Sequence, residues 1–202
     1  MPDSQPELIL ASGSAIRRSL LEGAGVPFSV AVAAVDEGTV RDSLHQAGAD
    51  AADCAVALAE LKALRISRQH PNALVVGCDQ ILDCDGRWYE KPADAAGARE
   101  TLISLRNRTH RLISAACLVR GGQVLWHHAE TCRMTMRDFS DPFLDRYLEQ
   151  CGDAILASVG CYQLEGIGVQ LFRQIDGDYF AILGLPLLPL LDMLRQHGVV
   201  AG

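Results

Sequence analysis

Three dipeptides constrain the architecture of this chain more than any other feature. Asp85-Gly86, Gly121-Gly122 and Asp176-Gly177 each follow a run of β-type residues, and each offers the residue types that accept a positive φ in a tight hairpin. Hairpins join antiparallel strands, yet elsewhere strands and helices alternate. The pattern therefore predicts an α/β fold on a mixed β-sheet flanked by helices, not a purely parallel, doubly wound sheet. With 202 residues the chain can form one large core, or two lobes sharing it.

The order of elements follows from hydrophobic period and caps. Glu7 to Leu10 reads as a short buried strand, broken by the small-residue loop Ala11-Ser12-Gly13-Ser14. A helix starts near Ala15, with Ser14 as its N-cap and Gly25 near its end. Pro27 to Val32 reads as a strand, and Asp50 to Arg68 as a helix with an apolar stripe at Ala59, Ala63 and Ile66. Ala73 to Val76 is a β-branched run that gives way to Gly77 and the polar pair Asp79-Gln80. A helix is expected over Asp94 to Leu105, long strands over Thr109 to Val119 and Gln123 to Met136, and a helix capped by Asp141 before Pro142. A last hairpin is expected at Asp176-Gly177, and a final helix from Pro186 with its stripe at Leu187, Leu190, Leu191 and Leu194.

Composition narrows the class of ligand. Lys and Arg number 18 against 25 Asp and Glu, a net charge of −7, which suits a small anion held by local cations better than a nucleic-acid backbone. Seven scattered cysteines, an odd number without close-spaced pairs, read as reduced, mostly buried thiols and hence a cytoplasmic protein. No basic flank and apolar core mark a signal peptide at the N-terminus, and the longest apolar stretch, Ala181 to Leu191, falls well short of the ~20 residues that cross a bilayer, so no membrane partner is expected.

Three groups of polar residues are not explained by local structure. Arg17 and Arg18 stand in the first turn of the helix after Ser12-Gly13-Ser14, where the helix dipole favours acidic side chains. Either the arginines are solvated and Ser14 is a simple cap, or the loop is a cradle whose backbone and guanidinium groups await a phosphate. Lys62 falls inside the apolar stripe of its helix, where it either snorkels outward or points its ammonium into a cleft; Lys91 is aimed by a stiff loop before Pro92. Glu37 and Asp79 are carboxylates placed at strand ends, where ligands bind in α/β sheets, and hard oxygens beside phosphate suit Mg²⁺. Asp36, Asp83 and Asp85 lie nearer to turns and read as structural. No Gx4GK[ST] loop, no complete dinucleotide fingerprint around Gly166-Ile167-Gly168 and no HExxH pair is present, which argues against P-loop enzymes and zinc hydrolases.

Taken in order, these residues resemble the Maf family of nucleotide pyrophosphatases. The opening LILASGSAIRRSLL, VDE at Val35 to Glu37, LAELKA at Leu58 to Ala63, VVGCDQIL at Val75 to Leu82 and EKP at Glu90 to Pro92 match successive family blocks. GCYQLEGIGVQLF, IDGDYF and ILGLPL match the C-terminal ones, so the resemblance runs from residue 8 to about residue 197. Ala15 stands where the family signature carries proline, a departure that loosens the helix start without removing a chemical group.

The resemblance implies one domain spanning residues 1–202, with an elongated sheet and two lobes that have a nucleotide cleft between them, similar to inosine triphosphate pyrophosphatases and usually a homodimer. It implies a nucleoside triphosphate pyrophosphatase that cuts the α–β phosphoanhydride to give a monophosphate and pyrophosphate. It assigns Asp79 the proton-acceptor role and places Ser12, Ser14, Arg17, Arg18, Lys62 and Lys91 around the phosphates. Glu37 and Asp79 would hold a divalent metal, Mg²⁺ or Mn²⁺. Ile16, Gln80 and Glu165 align with positions that separate family branches, and Gln80 with Glu165 matches the branch similar to N7-methyl-GTP hydrolases. A carboxylate at Glu165 suits the guanine edge and the positive charge of an N7-methylated base, whereas Ile16 offers no aromatic ring to stack on it. The alternatives are a dTTP- or UTP-preferring enzyme, a phosphatase or kinase-like transferase, and a nucleotide-binding regulator of cell division with incidental catalysis.

Overall fold

A computed structural model describes residues 6–202. The N-terminal reading therefore rests partly on residues 1–5, which lie outside the described ones. Among the described residues no helix is long and apolar enough to cross a membrane.

In chain order the elements are β1 (Leu8–Leu10), α1 (Ala15–Gly23), β2 (Ser29–Val30), α2 (Glu37–Gln46), α3 (Ala51–Ser67), β3 (Leu74–Cys84), β4 (Arg87–Tyr89) and α4 (Ala95–Leu105). There follow β5 (Thr109–Arg120), β6 (Gln123–Met136), α5 (Asp141–Cys151), two 3₁₀ turns (Gly152–Ala157 and Ile167–Leu171), β7 (Phe172–Asp176), α6 (Tyr179–Ile182) and α7 (Leu187–Gln196). Seven strands form one sheet in the order β2-β1-β3-β5-β6-β7, with β4 pairing β3. β1 runs parallel to β2 and β3, while β4 is antiparallel to β3 and β7 to β6. The sheet is mixed and flanked by helices, as the turn chemistry requires.

Two of the three turns behave as read. Asp85 and Gly86, at φ 53° and 82°, connect β3 to β4, and Gly121 and Gly122, at φ 56° and 76°, connect β5 to β6. The third does not: past Asp176-Gly177 the chain enters α6, with no returning strand. Four further expectations need correction. β3 does not stop at Val76 but continues to Cys84, so Asp79 lies in mid-strand and not at a strand end. Glu37 follows no strand; it opens α2, a helix unread in the sequence because none of its residues is buried. β2 is only two residues long, and the N-cap of α5 is Ser140, one residue before the aspartate expected there.

The chain divides into two compact units, Met1–Gln80 with Ser114–Glu130 and Tyr179–Gly202, and Ile81–Ile113 with Thr131–Asp178. In the first unit strand parity separates two layers. Leu74, Val76 and Cys78 of β3 join Leu8, Leu10, Leu21, Leu185, Leu187, Leu190 and Leu194 in one buried cluster, which places α1 and α7 on that face. Val75, Gly77 and Asp79 face the other way, toward α3. A Cβ on Gly77 would lie 2.0 Å from the Ala59 carbonyl oxygen and 2.9 Å from Ala63 Cβ, so only glycine lets helix and strand approach this closely. The α7 leucines, at about 1.5–3 kcal/mol for each buried side chain, outweigh any one polar contact in this unit. Packing holds the chain that precedes them, and hydrogen bonds only orient it.

In the second unit β3–β4 and β6–β7 pair in register Leu82↔Tyr89 and Met134↔Ile175. Tyr162 packs edge-on against Phe172 with ring centroids 4.8 Å apart. Asp83 accepts from Gly86 N at 2.8 Å and pairs with Arg111 at 2.5 Å, and Asp85 pairs with Arg108, so both are structural as expected. All seven cysteines are free and six are buried; burial pushes the Cys78 thiol up to about 11, which leaves it an inert core group.

Candidate active site

The first unit gathers Ser12, Ser14, Arg17, Glu37, Lys62, Asp79 and Gln80. Its first component is the β1–α1 loop. Ser14 caps α1 by accepting from Arg17 N, and buried Ser12 turns its Oγ toward Ser14 N at 3.3 Å. The first turn of α1 contains no acidic residue, so its dipole and the N–H groups that Ser14 does not cap are left for an anion from outside. Arg17 does not extend into solvent. Its Nε donates to the Gly184 carbonyl at 2.7 Å, and Nη1 donates to the Cys78 carbonyl at 3.1 Å and to Ser12 Oγ at 3.3 Å. That fixes the plane of the guanidinium and leaves Nη2 without a hydrogen-bond partner among the described residues. Arg18 is exposed, and Ile16 is half-buried beside it.

The second component lies on the α3 face of β3. Lys62 does not snorkel: only 7% exposed, its Nζ stands 2.6 Å from Asp79 Oδ1 and 2.9 Å from Glu37 Oε2. One ammonium thus bridges a carboxylate in mid-strand and one at the start of α2, whose cap is Asp36, bonded to Thr39 N at 3.1 Å. Asp36 is structural, as its position suggested, and those bonds hold its carboxyl below the usual range. Asp79 is itself 6% exposed. Burial raises its carboxyl above the usual aspartate range, Glu37 pushes the same way, and the pull of Lys62 and Arg17 does not overcome them. A carboxyl poised in this manner beside two cations holds a proton more readily than a surface aspartate.

Adjacent strand residues face opposite layers, so Gln80 turns away from Lys62. Its amide nitrogen donates to Ser114 Oγ at 2.9 Å and to the carbonyls of Ile182 and Ala181 at 3.0 and 3.3 Å. Sequence reasoning missed Ser114 and Gly184 altogether. Gly184, with φ at 100°, carried a signal in the ILGLPL block, but nothing local told that its carbonyl would meet Arg17. Lys91 and Glu165 belong to the second unit, where both are exposed.

No group of three or more His, Cys, Asp and Glu side chains among the described residues could hold a metal. Mg²⁺ does not need one, since it keeps waters and substrate oxygens beside one or two carboxylates. Glu37 and Asp79 converge on a single cationic nitrogen.

With this geometry in place, residues 7–197 match the family described as Maf-like protein. The chain belongs to the Maf family. Among its Maf-family relatives, a protein of Paramagnetospirillum magneticum named nucleoside triphosphate pyrophosphatase is 56% identical, over 94% of this chain and 98% of its own. A Granulibacter bethesdensis protein of the same name is 54% identical, over 95% and 97%. A Rhizobium meliloti protein named 7-methyl-GTP pyrophosphatase is 50% identical, over 97% and 98%. Among solved structures, the crystal structure of a nucleoside-triphosphatase / dITP/XTP pyrophosphatase from Mycobacterium abscessus is 18% identical, with a TM-score of 0.46 over 94% of this chain and 100% of that one. So slight a likeness bears on nothing that follows.

Proposed function

We propose that this Maf protein is a nucleoside triphosphate pyrophosphatase, hydrolysing the α–β phosphoanhydride of a guanine-type nucleotide, N7-methylated in the best case, to a monophosphate and pyrophosphate. One observation carries the reading most: Lys62, buried and bridging Asp79 and Glu37, beside a helix N-terminus whose arginine is anchored in place. Relatives named for this reaction at 50–56% identity support it.

In this reading the N-terminus of α1, Ser12, Ser14, Arg17 and Arg18 receive the phosphate chain. Arg17 presents its remaining N–H groups without reorganising, which is the condition for stabilising charge that develops on the bridging oxygen. Lys62 engages Asp79 Oδ1, which leaves Oδ2 to take the proton of the attacking water. Glu37 and Asp79 would hold Mg²⁺ or Mn²⁺, which when bound withdraws charge from the phosphate oxygens. Lys91 and Glu165 are proposed as a further phosphate cation and as the reader of the base, by resemblance alone.

The test is a panel of N7-methyl-GTP, GTP, UTP, dTTP and CTP with Mg²⁺, scored for pyrophosphate with wild type and Asp79→Asn. Pyrophosphate from a guanine nucleotide, lost in the variant, is the expected result. Orthophosphate or a nucleoside diphosphate as product would overturn it.

A further inference from the structure

Beside Asp79 stands an amide whose two ends are held differently. Gln80 Nε2 donates to Ser114 Oγ at 2.9 Å, to the Ile182 carbonyl at 3.0 Å and to the Ala181 carbonyl at 3.3 Å. Its Oε1 accepts from no described residue, and because Gln80 is only half-buried that oxygen is not sealed from solvent. A glutamine amide in solution turns over to suit its partner, offering oxygen to a donor or nitrogen to an acceptor. Here it cannot. The two carbonyls have no hydrogen to give, and Ser114, 1% exposed, already donates its single hydroxyl hydrogen to Ala181 O at 2.6 Å. Turned over, the amide would set its oxygen against three acceptors. The segment that enforces this lies next to the phosphate site proposed above, since the Gly184 carbonyl accepts from Arg17 Nε at 2.7 Å and the Cys78 carbonyl from Arg17 Nη1 at 3.1 Å.

We infer that Ser114 is a positioning residue for substrate choice: it holds the Gln80 amide with its nitrogen inward, so that Gln80 meets a nucleobase with its oxygen alone. The inference rests on the nucleotide reading proposed above. Ser114 touches no ligand in it, and its whole effect runs through Gln80. An acceptor that cannot become a donor separates bases that differ in one exocyclic group, amino in one and oxo in the other. The amino member supplies a hydrogen, whereas the oxo member sets carbonyl against carbonyl. The favoured substrate class is therefore a nucleotide with an amino-bearing base such as guanine, and the rejected class is its oxo counterpart, xanthine.

The experiment compares pyrophosphate release from GTP, XTP and dGTP by wild type, Ser114→Ala, Ser114→Thr, Gln80→Met and the double variant Ser114→Ala/Gln80→Met, alongside NMR spectra of the side-chain amides of the free protein. Wild type should favour GTP over XTP in kcat/KM. Ser114→Ala should lower that preference about fivefold, the order of one lost hydrogen bond, and Ser114→Thr, which keeps the hydroxyl, should restore it. Added to Gln80→Met, Ser114→Ala should change the preference no further. In the spectra the Gln80 amide, identified by its absence from Gln80→Met, should be protected from solvent exchange in wild type and Ser114→Thr and unprotected in Ser114→Ala. Equal kcat/KM for GTP and XTP in wild type, a preference unmoved by Ser114→Ala, a further loss in the double variant, or a Gln80 amide still protected in Ser114→Ala would each overturn the inference. So would a fall in the ratio of GTP to dGTP in place of that of GTP to XTP, which would give Oε1 to the ribose. Should no nucleotide yield pyrophosphate, the hydrolase reading falls by itself, and the protection of the Gln80 amide still decides whether Ser114 holds it.

Discussion

Each unit of this protein buries a titratable polar pair, and the two pairs differ in the charges around them. In the first, Lys62 and Asp79 are 7% and 6% exposed and in direct contact, with Glu37 and Arg17 adding charge nearby. In the second, His110 is 1% exposed, its Nε2 shares a 2.8 Å hydrogen bond with Tyr162 Oη, and its Nδ1 has no hydrogen-bond partner among the described residues. Burial drives His110 down to about 4, so it stays neutral, and burial first, with Cys161, Tyr147 and Cys132 adding to it, raises the Tyr162 hydroxyl well above its ordinary value. A core that only needs to be filled lets desolvation remove charge. Around Asp79 the cations Lys62 and Arg17 oppose that desolvation, at the site assigned to the chemistry.

That contrast can be broken most sharply at Asp79. Asp79→Asn should lower kcat about 10³-fold, in the range a positioned proton acceptor contributes, with a circular dichroism spectrum like wild type; kcat within a factor of ten of wild type would put the base elsewhere. Next comes His110. Its folded value lies below the ordinary 6.5, so the stability it confers is complete above pH 6.5 and is lost as pH falls toward about 4. The loss is on the order of 3 kcal/mol at about 1.4 kcal/mol per unit. Urea midpoints of wild type and His110→Phe at both ends of that window should show the slope in the first and its disappearance in the second; parallel slopes would refute it. Lys62→Met should then move the acid limb of the kcat/KM profile upward, because the cation that lowers Asp79 is gone and the carboxylate ionises only at higher pH. A limb that stays in place would mean that Asp79 does not set it. The smallest effect is expected from Glu165→Gln, about a tenfold change in the guanine-to-pyrimidine ratio of kcat/KM with the phosphate chemistry intact. An unchanged ratio removes Glu165 as base reader.

How far the sequence alone led can be argued from these same residues. Lys62 was legible because a charge inside an apolar helical stripe is a local contradiction, and Arg17 because a cation at a helix N-terminus is another. The Asp85-Gly86 and Gly121-Gly122 turns were legible because positive φ demands few residue types. Asp79 was found for an incomplete reason: Gly77 and the polar pair after it looked like a strand end, whereas Gly77 lies against α3 and Asp79 and Gln80 continue the strand beyond it. α2 was illegible because a helix that buries none of its residues leaves no apolar period. The roles of Gly184 and Ser114 could not be read, since they are fixed by partners more than 60 residues away along the chain, Arg17 at a separation of 167 and Ala181 at 67.

Gly77 has one last consequence. It presses against the turn of α3 that runs from Ala59 to Ala63, between which stands Lys62, and Asp79 follows it by two residues on the same side of its strand. Bare backbone touching bare backbone is therefore the caliper that sets the gap between ammonium and carboxylate. Even one methyl group at this point would act as a shim, opening the ion pair to water at a position that carries no charge.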